Sequence, residues 1–324
     1  MRHTFRLIAA TTGALALLSA CGLHSGSTLV ADVTPGSIGR GEPLKGADLT
    51  VTSKEFTEQL ILGQIMGIAF KAAGADVLDR TGIQGSIGAR EAVKSGDADG
   101  MYEYTGTAWI TFLGNTEPID NPQKQWQALH DADLKNGITW LPPAKLNNTY
   151  SLAMNQANAA KYKTKTLSEV AALSKSDPKA VTLCVNQEFA SRNDGLPGMQ
   201  KAYGMNIPPS HIKAMDSGIV YTQVSEGNSC TYGMVFTTDG RIKAMDLVLT
   251  EDDKHFFPNY NAAPMLNSDT FKKYPAIADV LDPITAKLDN ATAQELNSKV
   301  DVDGQDPHEV ALDWLVQEGF VKKG

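Results

Sequence analysis

The segment GMYEYTGTAW, residues 100–109, presents aromatic rings and hydroxyl groups together at the predicted end of a strand. The second of its two tyrosines, Tyr104, is followed by a Thr-Gly-Thr turn that ends at Thr107. A tyrosine ring can hold a cation against its electron-rich face, and a threonine hydroxyl can donate a hydrogen bond to an anion. Because side chains alternate along a strand, Tyr102 is predicted to point to the opposite side, into the core. The segment therefore favours a binding function.

Motifs of the common enzyme classes do not occur in the sequence. It contains neither a G-x-S-x-G nucleophile elbow nor a P-loop. The glycines of GIQGSIG (82–88) have the wrong spacing for a dinucleotide-binding loop, and HEVAL at His308 lacks the second histidine of a zinc helix. DVDGQDP, from Asp301, lacks the glutamate that closes a calcium loop. We therefore expect no catalytic activity, no cofactor and no metal site.

The first twenty residues have the pattern of an export signal. Arg2 and Arg6 precede the apolar run LIAATTGALALLSA, which is too short to remain as a membrane-spanning helix. The run ends in LSAC, so Cys21 is similar to the lipid-modified cysteine of bacterial lipoproteins. A secretion signal cut near Ala20 is the alternative. We expect an exported protein, lipid-anchored at the outer face of the cytoplasmic membrane.

Composition limits the partners of the exported chain. Removing residues 1–20 leaves 27 basic and 37 acidic residues, a net charge of −10. This charge argues against nucleic acid and anionic lipid surfaces as partners, because both attract basic patches. The remaining cysteines are Cys184 and Cys230. In an oxidising compartment such a pair favours a disulfide over the alternative of two buried free thiols.

Strand and helix patterns alternate downstream of residue 46. DLTVTSK has the pattern of a strand, and the next segment has apolar residues at 61, 65, 68, 69 and 72, which lie on one face of a helix. Alternation of this kind is typical of an α/β fold with mostly parallel sheets flanked by helices.

The alternating series occurs twice, which predicts two lobes. A second series begins at Tyr150, and NAAPMLN has the pattern of a strand that returns to the first lobe. Crossings near 146–150 and 257–262 would leave a hinged cleft, where ligands commonly bind. The predicted organisation is a signal peptide (1–20), a flexible tether rich in Gly, Ser, Thr and Pro (21–46), lobe 1 (47–148 with 261–324) and lobe 2 (149–260).

Five segments resemble, in this order, the substrate-binding proteins of ABC importers for glycine betaine, carnitine and choline. The resemblance covers essentially the whole exported body. It implies a type II periplasmic-binding-protein fold, a monomer that binds a quaternary ammonium compound, and delivery to a membrane permease. The segments are SKEFTEQLILGQ (53–64), MYEYTGT (101–107), LPPAKLNNTYSLAM (141–154), SRNDG (191–195) and TTDGRIKAMDLVLTEDDKHFFPNYNAAP (237–264).

The resemblance implies an aromatic cage for the ligand's cation. A quaternary ammonium has no N–H to donate, so a pocket holds it by surrounding its methyl groups with ring faces, each worth about 0.5–2 kcal/mol. Phe236 departs from the family, which often has tyrosine there, and Tyr221 or Tyr232 is the alternative for this wall. By similarity the cage residues are Tyr104, Tyr150, Phe236 and Tyr260.

The resemblance also implies donors for a ligand carboxylate. They are Lys54 and Gln59 at a strand-to-helix junction, Thr107 after the tyrosine, and Arg192 from the second lobe. Family members restricted to choline tend to carry an acidic residue in place of Thr107. We therefore expect glycine betaine, followed by carnitine or proline betaine. A choline-specific binder and an adhesion or signalling lipoprotein are the alternatives.

Overall fold

A computed structural model of the chain describes residues 27–29 and 31–324. The predicted signal peptide, Cys21 and the start of the predicted tether lie outside these residues. The strands of the described part are β1 (Ser27–Thr28), β2 (Val33–Pro35), β3 (Asp48–Lys54), β4 (Asp76–Ile83), β5 (Gly100–Tyr104), β6 (Ile138–Trp140), β7 (Tyr150–Met154), β8 (Leu183–Val185), β9 (Ile212–Ala214), β10 (Tyr232–Phe236), β11 (Val248–Leu249), β12 (Ala262–Asn267) and β13 (Val321–Lys323).

Helices connect and cover these strands. A π-helical turn (Ala108–Phe112) continues α3, and 3-10 turns lie at Leu134–Asn136, Pro178–Ala180 and Pro209–His211. The α-helices of residues 31–324 are α1 (Thr57–Ala72), α2 (Ser86–Ser95), α3 (Thr105–Thr107), α4 (Pro122–Asp133), α5 (Gln156–Tyr162), α6 (Leu167–Ser176), α7 (Gln187–Ser191), α8 (Leu196–Tyr203), α9 (Ser217–Glu226), α10 (Arg241–Ala244), α11 (Ser268–Lys273), α12 (Ile277–Thr285), α13 (Asn290–Asp301) and α14 (Pro307–Gln317).

Two sheets form the centres of two lobes. The sheet of lobe 1 has the order β1-β4-β3-β5-β12-β6, and the sheet of lobe 2 has the order β11-β7-β10-β8-β9. In lobe 1, β3 runs parallel to β4 and β5, whereas β12 is antiparallel to β5 and β6. In lobe 2, β8 runs parallel to β9 and β10, whereas β7 is antiparallel to β10. The predicted α/β class is confirmed, and both sheets are mixed: each contains a run of three parallel strands, β4-β3-β5 in lobe 1 and β10-β8-β9 in lobe 2.

The reversed strands mark where the chain changes lobe. β7 is the first strand after the chain enters lobe 2, and β12 is the first strand after it returns to lobe 1. The two crossings lie side by side: Asn147 pairs with Asn261 in an antiparallel bridge, and the backbone N–H of Asn148 donates to the carbonyl of Tyr260 at 3.1 Å. This double connection is the hinge that lies beneath the cleft.

Helix α1 is the central helix of lobe 1. It packs on β3, β4 and β5 on one side and on α12, α13 and α14 on the other, so it is buried nearly all round. A Cβ added to Gly63 would lie 2.6 Å from the Thr81 methyl group, so glycine permits the close approach of α1 to β4. None of the helices in the described ranges combines the length and apolar character that crossing a membrane requires.

The prediction of a flexible tether is wrong for residues 27–29 and 31–46. In this region β1 pairs with β4, β2 pairs with β13, and the side chains of Leu29, Ile38 and Leu44 are buried in the lobe 1 core. Several glycines here adopt positive φ, for example Gly39. The Gly- and Pro-rich composition therefore reflects tight turns between buried apolar residues rather than a solvated linker.

Cys184 and Cys230 are joined by a disulfide in lobe 2, with their Cα atoms 5.7 Å apart. Cys184 lies in β8, and Cys230 lies shortly before β10, which pairs with β8. The bond thus closes a loop that includes α7, α8 and α9.

Replacing both cysteines by serine should lower the free energy of unfolding by about 2–5 kcal/mol, because the unfolded chain loses a constraint across a long loop. Urea unfolding of the wild-type and Cys184→Ser/Cys230→Ser proteins measures this difference. Reductant should destabilise the wild type and leave the double variant unchanged. Equal unfolding of the wild type with and without reductant, together with alkylation of both cysteines, would contradict the bond.

Leu44→Ala should destabilise the protein by about 2–5 kcal/mol if the N-terminal segment is part of the core, since Leu44 is only 1% exposed. Leu134→Ala is the matched control, because Leu134 is 47% exposed and surface truncations usually change stability by less than about 0.5 kcal/mol. Urea unfolding compares the two variants. Equal, small effects would indicate that the segment is detached in solution.

Candidate ligand-binding site

A cavity lies between the lobes beside the hinge, and we call it the central cavity. All four residues predicted for the cage line it. Tyr104 ends β5 and Phe236 ends β10, so each sheet presents an aromatic side chain at the carboxyl end of a central strand. Tyr150 and Tyr260 lie at the two crossings. The fold therefore gathers side chains that are far apart in sequence.

The aromatic rings form a continuous series across the cavity, which we call the ring cluster (Tyr104, Phe56, Phe236, Tyr150 and Tyr260). Phe56 stacks on Phe236 with centroids 5.2 Å apart and lies 6.3 Å from Tyr104. Tyr150 lies 5.4 Å from Phe236 and 5.2 Å from Tyr260, the latter ring standing nearly perpendicular at 80°. These separations are those of interacting aromatic pairs. Both lobes thus contribute to one aromatic wall.

Phe56 is the residue of the ring cluster that the sequence reasoning missed. It lies in SKEFTEQ, between the two residues chosen there as carboxylate donors, and it occupies the N-cap position of α1. A phenylalanine is an unusual cap because it offers no side-chain acceptor to the free N–H groups of the helix. A phenylalanine at the predicted start of a helix was the sequence feature that could have indicated a role for Phe56 in the site.

Neither of the alternatives for the wall at Phe236 lines the central cavity. Tyr221 is fully buried in lobe 2, and its hydroxyl accepts a hydrogen bond from the backbone N–H of Phe236 at 3.0 Å. Tyr232 lies at the opposite end of β10 and its hydroxyl is bonded to Thr164 at 2.8 Å. Tyr221 supports the cavity from behind, and Phe236 is the residue that lines it.

Two tyrosine hydroxyls of the ring cluster donate to buried carboxylates. The Tyr104 hydroxyl donates to Oε1 of Glu58 at 2.6 Å, and the Tyr260 hydroxyl donates to Oδ2 of Asp194 at 2.8 Å. Burial, reinforced by the negative charges of these carboxylates, raises the pKa of both Tyr104 and Tyr260 well above the ordinary value. Burial also raises the pKa of Tyr150. The three hydroxyls therefore stay protonated at physiological pH.

Lys54 reaches the central cavity in a buried ion pair. Its Nζ lies 2.7 Å from Oε1 of Glu103 and 3.3 Å from the hydroxyl of Ser86. The same ammonium lies 4.6 Å from the ring centroid of Tyr104 and 5.7 Å from that of Phe56. This geometry explains why a core strand carries Glu103. It also places a cation against the ring cluster.

Arg192 is held by lobe 2 and contacts lobe 1. It pairs with both carboxylate oxygens of Asp194, the Nε–Oδ1 distance being 2.8 Å, and its Nη1 lies 3.1 Å from Glu188. Its Nη2 also donates to the hydroxyl of Thr107 at 3.3 Å. Burial would raise the pKa of Glu188, but Lys54 and Arg192 hold this pKa below its ordinary value. Glu188 is therefore negatively charged beside the cavity.

Gln59 is the predicted site residue that the structure does not bring to the cavity. Lys54, Thr107 and Arg192 all line it, whereas Gln59 is fully buried within lobe 1. Its Oε1 accepts from the backbone N–H of Lys54 at 3.3 Å, which joins the end of β3 to the start of α1. The side chain thus supports Lys54 from behind.

The central cavity opens into a wider cleft between the lobes, with a volume of about 890 Å³. Residues 84–88, around the start of α2, form one side, and residues 214–217, before and at the start of α9, form the other. Ser86, Glu188 and Arg192 line both spaces, so the cavity and the cleft are continuous.

Comparison with known proteins identifies relatives over most of the chain. The glycine-betaine-binding protein of Pseudomonas aeruginosa is 37% identical over 281 residues, covering 85% of this chain and 89% of the relative. The ergothioneine transport permease/ergothioneine binding protein EgtU of Helicobacter pylori is 33% identical over 277 residues, covering 84% of this chain and 48% of the relative. The solved structure of apo YehZ from Escherichia coli superimposes with a TM-score of 0.63 at 28% identity, covering 85% of this chain and 100% of that one.

The family comparison covers both lobes. The family model described as the substrate binding domain of ABC-type glycine betaine transport systems matches residues 47–317. That range contains every residue of the ring cluster and the charged groups around it. The chain belongs to the family of substrate-binding domains of ABC-type glycine betaine transport systems.

Proposed function

We propose that this protein captures a zwitterionic quaternary ammonium compound, with glycine betaine as the favoured ligand, and delivers it to an ABC permease. The observation that carries the proposal is the ring cluster, in which aromatic side chains from both lobes and both crossings line one cavity. Carnitine has the same trimethylammonium group, and proline betaine has a dimethylated quaternary nitrogen in its ring, so both belong to the same class. The relative from Pseudomonas aeruginosa, a glycine-betaine-binding protein, supports this choice.

The cation is proposed to bind against Tyr104, Tyr150, Phe236 and Tyr260, with Phe56 as a fifth wall. Methyl groups on the nitrogen prevent a conventional hydrogen bond, so ring faces supply the attraction, at about 0.5–2 kcal/mol each. Phenylalanine at position 236 retains the aromatic face and lacks only a hydroxyl. Water leaves the cavity as the ligand enters, which strengthens the attraction.

The ligand carboxylate is proposed to bind beside Lys54 and Thr107. Lys54 has three N–H donors, and two are directed at Glu103 and Ser86. Thr107 accepts from Arg192, so its own hydroxyl proton is available to an anion. In this assignment Arg192 orients Thr107 and balances the negative charge of Asp194. A threonine at this position favours a carboxylate-bearing ligand over choline.

A permanent cation without a carboxylate, such as choline, is the second candidate. It is favoured by Glu188, a charged carboxylate that lines the cavity while Arg192 is already paired with Asp194. A ligand with a hydroxyl group in place of the carboxylate would avoid repulsion from Glu188. The two candidates therefore differ in the side chain at the non-cationic end of the ligand. In the first, a carboxylate lies beside Lys54; in the second, an uncharged hydroxyl end lies near Glu188.

Transport requires the protein to stay near its permease. We propose that Cys21 carries the lipid anchor, that the protein acts as a monomer, and that the lobes close around the ligand before docking. The ligand bridges groups of both lobes, so it binds the closed form better than the open one and shifts the population toward closure. The closed protein then delivers the ligand without altering it.

Tyr150→Ala should weaken glycine betaine binding by about tenfold or more, because it removes a ring face and opens the ring cluster to water. Tyr150→Phe should retain most of the affinity, since it keeps the ring. Isothermal titration calorimetry measures both variants. Tyr162→Ala is the matched control, since Tyr162 does not line the cavity. Equal affinities for the wild type and Tyr150→Ala would exclude the ring cluster as the site.

A ligand panel should separate the candidate functions by thermal shift. Glycine betaine, carnitine and proline betaine should raise the unfolding temperature at concentrations above their dissociation constants, because they bind the folded state alone. Glycine, which lacks the methyl groups, should not. A larger shift with choline would select the second candidate. No shift with any member of the panel, ergothioneine included, would favour an adhesion or signalling lipoprotein.

A further inference from the structure

Glu58 is a buried carboxylate at the start of α1, immediately behind the ring cluster. It is 4% exposed and does not line the central cavity. Its Oε1 accepts from the Tyr104 hydroxyl at 2.6 Å and from Nδ2 of Asn148 at 2.7 Å. Its Oε2 accepts from the Thr238 hydroxyl at 2.6 Å and from Nδ2 of Asn297 at 3.0 Å. Four donors therefore converge on the two oxygens of one carboxylate, so its acceptor positions are used by hydrogen bonds from neutral groups.

The negative charge of Glu58 has no cationic partner in the described part of the chain. Tyr104, Asn148, Thr238 and Asn297 are all neutral, and no lysine, arginine or histidine there lies within ion-pair distance of Glu58. The charge is therefore solvated by hydrogen bonds and not cancelled. It remains available to attract a positive charge placed on the other side of Tyr104.

Asp194 is the natural comparison. It accepts a hydrogen bond from the Tyr260 hydroxyl, as Glu58 does from Tyr104. Arg192, however, pairs with both oxygens of Asp194, so that charge is balanced at close range. Tyr104 and Tyr260 thus both donate to carboxylates. The charge of Asp194 is balanced by Arg192, whereas that of Glu58 is not balanced by a cation among the described residues.

A hydroxyl that donates to a carboxylate makes the attached ring more electron-rich. Hydrogen bonds polarise the groups they join, and the attraction of a cation to an aromatic face grows with the negative potential of that face. The Tyr104 ring already lies against a cation, since Nζ of Lys54 is 4.6 Å from its centroid. A carboxylate behind the ring attracts a cation without touching it, so it brings no bound water into the cavity.

We propose that Glu58 is a specificity-determining residue: acting through the Tyr104 hydroxyl, it makes the ring cluster prefer a positively charged trimethyl group over a neutral group of the same shape. This inference rests on the proposed function, because it assumes that the ring cluster binds a quaternary ammonium. Glu58 does not touch the ligand. It is a positioning and polarising group whose effect is electrical.

The test compares Glu58→Gln with the wild type on two ligands of one shape. Glycine betaine has a positively charged trimethylammonium group. In its place tert-butylacetate (3,3-dimethylbutanoate) has an uncharged tert-butyl group, and both ligands carry the same carboxylate. Glutamine keeps the shape of the side chain and removes its charge, and its amide can donate to the Thr238 hydroxyl while Asn297 keeps its bond to the Thr238 carbonyl. We expect Glu58→Gln to bind glycine betaine at least about threefold more weakly and tert-butylacetate with little change, measured by calorimetry.

Thr238→Val is the control for a purely structural role. It removes one hydrogen bond from Glu58 and one contact between the lobes, but it leaves the charge and the Tyr104 bond in place. Its effect on the two ligands should therefore be equal. If Glu58→Gln also weakens both ligands equally, Glu58 only holds the lobes together and the proposal is overturned.

A double-mutant cycle with Tyr104→Phe tests the route through the hydroxyl. In the Tyr104→Phe background, Glu58→Gln should change glycine betaine affinity much less than it does in the wild type, because the connecting hydroxyl is absent. Additive effects would overturn the proposal. If tert-butylacetate binds too weakly to measure, the double-mutant cycle takes the place of the ligand comparison. Should Glu58→Gln fail to fold, Tyr104→Phe alone must lower the preference for the charged ligand.

The outcomes for the two proposals are distinct. Failure of the wild type to bind glycine betaine or any other member of the ligand panel would contradict the proposed function itself. Binding by the wild type, combined with an unchanged charge preference in Glu58→Gln, would overturn only the role of Glu58.

Discussion

A nitrogen that carries only alkyl groups can be recognised through aromatic faces but not through hydrogen bonds, and under the proposed function this constraint accounts for the position of the ring cluster in the fold. Several rings must meet around one point, and no single strand or helix can present them. The structure solves this with two strand ends and two crossings, which converge only at the hinge. Each crossing leads into a strand antiparallel to its neighbours, and that reversal brings Tyr150 and Tyr260 to within 5.2 Å of each other.

Charges around the rings are arranged so that few of them face the cavity unpaired. Lys54 is paired with Glu103, and Arg192 with Asp194, in contacts that are almost fully shielded from solvent. Removing one partner of such a pair leaves a buried charge, which is costly, so the pairs hold side chains in fixed places. Each pair lies within one lobe, so each lobe keeps its own part of the cavity wall in place, and less ordering remains to be done on binding.

Sequence patterns predicted the elements of this architecture better than the contacts between them. The alternation of strands and helices, the return strand and the positions of Tyr104, Tyr150, Phe236 and Tyr260 follow from local periodicity and from motif resemblance. The packing of residues 31–46 could not be predicted in this way, because a segment whose glycines form tight turns has the same composition as a flexible segment. Phe56 and Glu58 were also missed, since their importance depends on which strand ends lie opposite the start of α1.

The contacts that join the lobes involve the same residues as the contacts that form the site. Phe56 of lobe 1 stacks on Phe236 of lobe 2, Thr107 accepts from Arg192, and Glu58 accepts from Thr238. A movement that separates the lobes must therefore break up the ring cluster, separate the Thr107 hydroxyl from Arg192 and remove the Thr238 hydroxyl from Glu58. Because ligand binding and lobe closure depend on one set of side chains, their free energies are coupled.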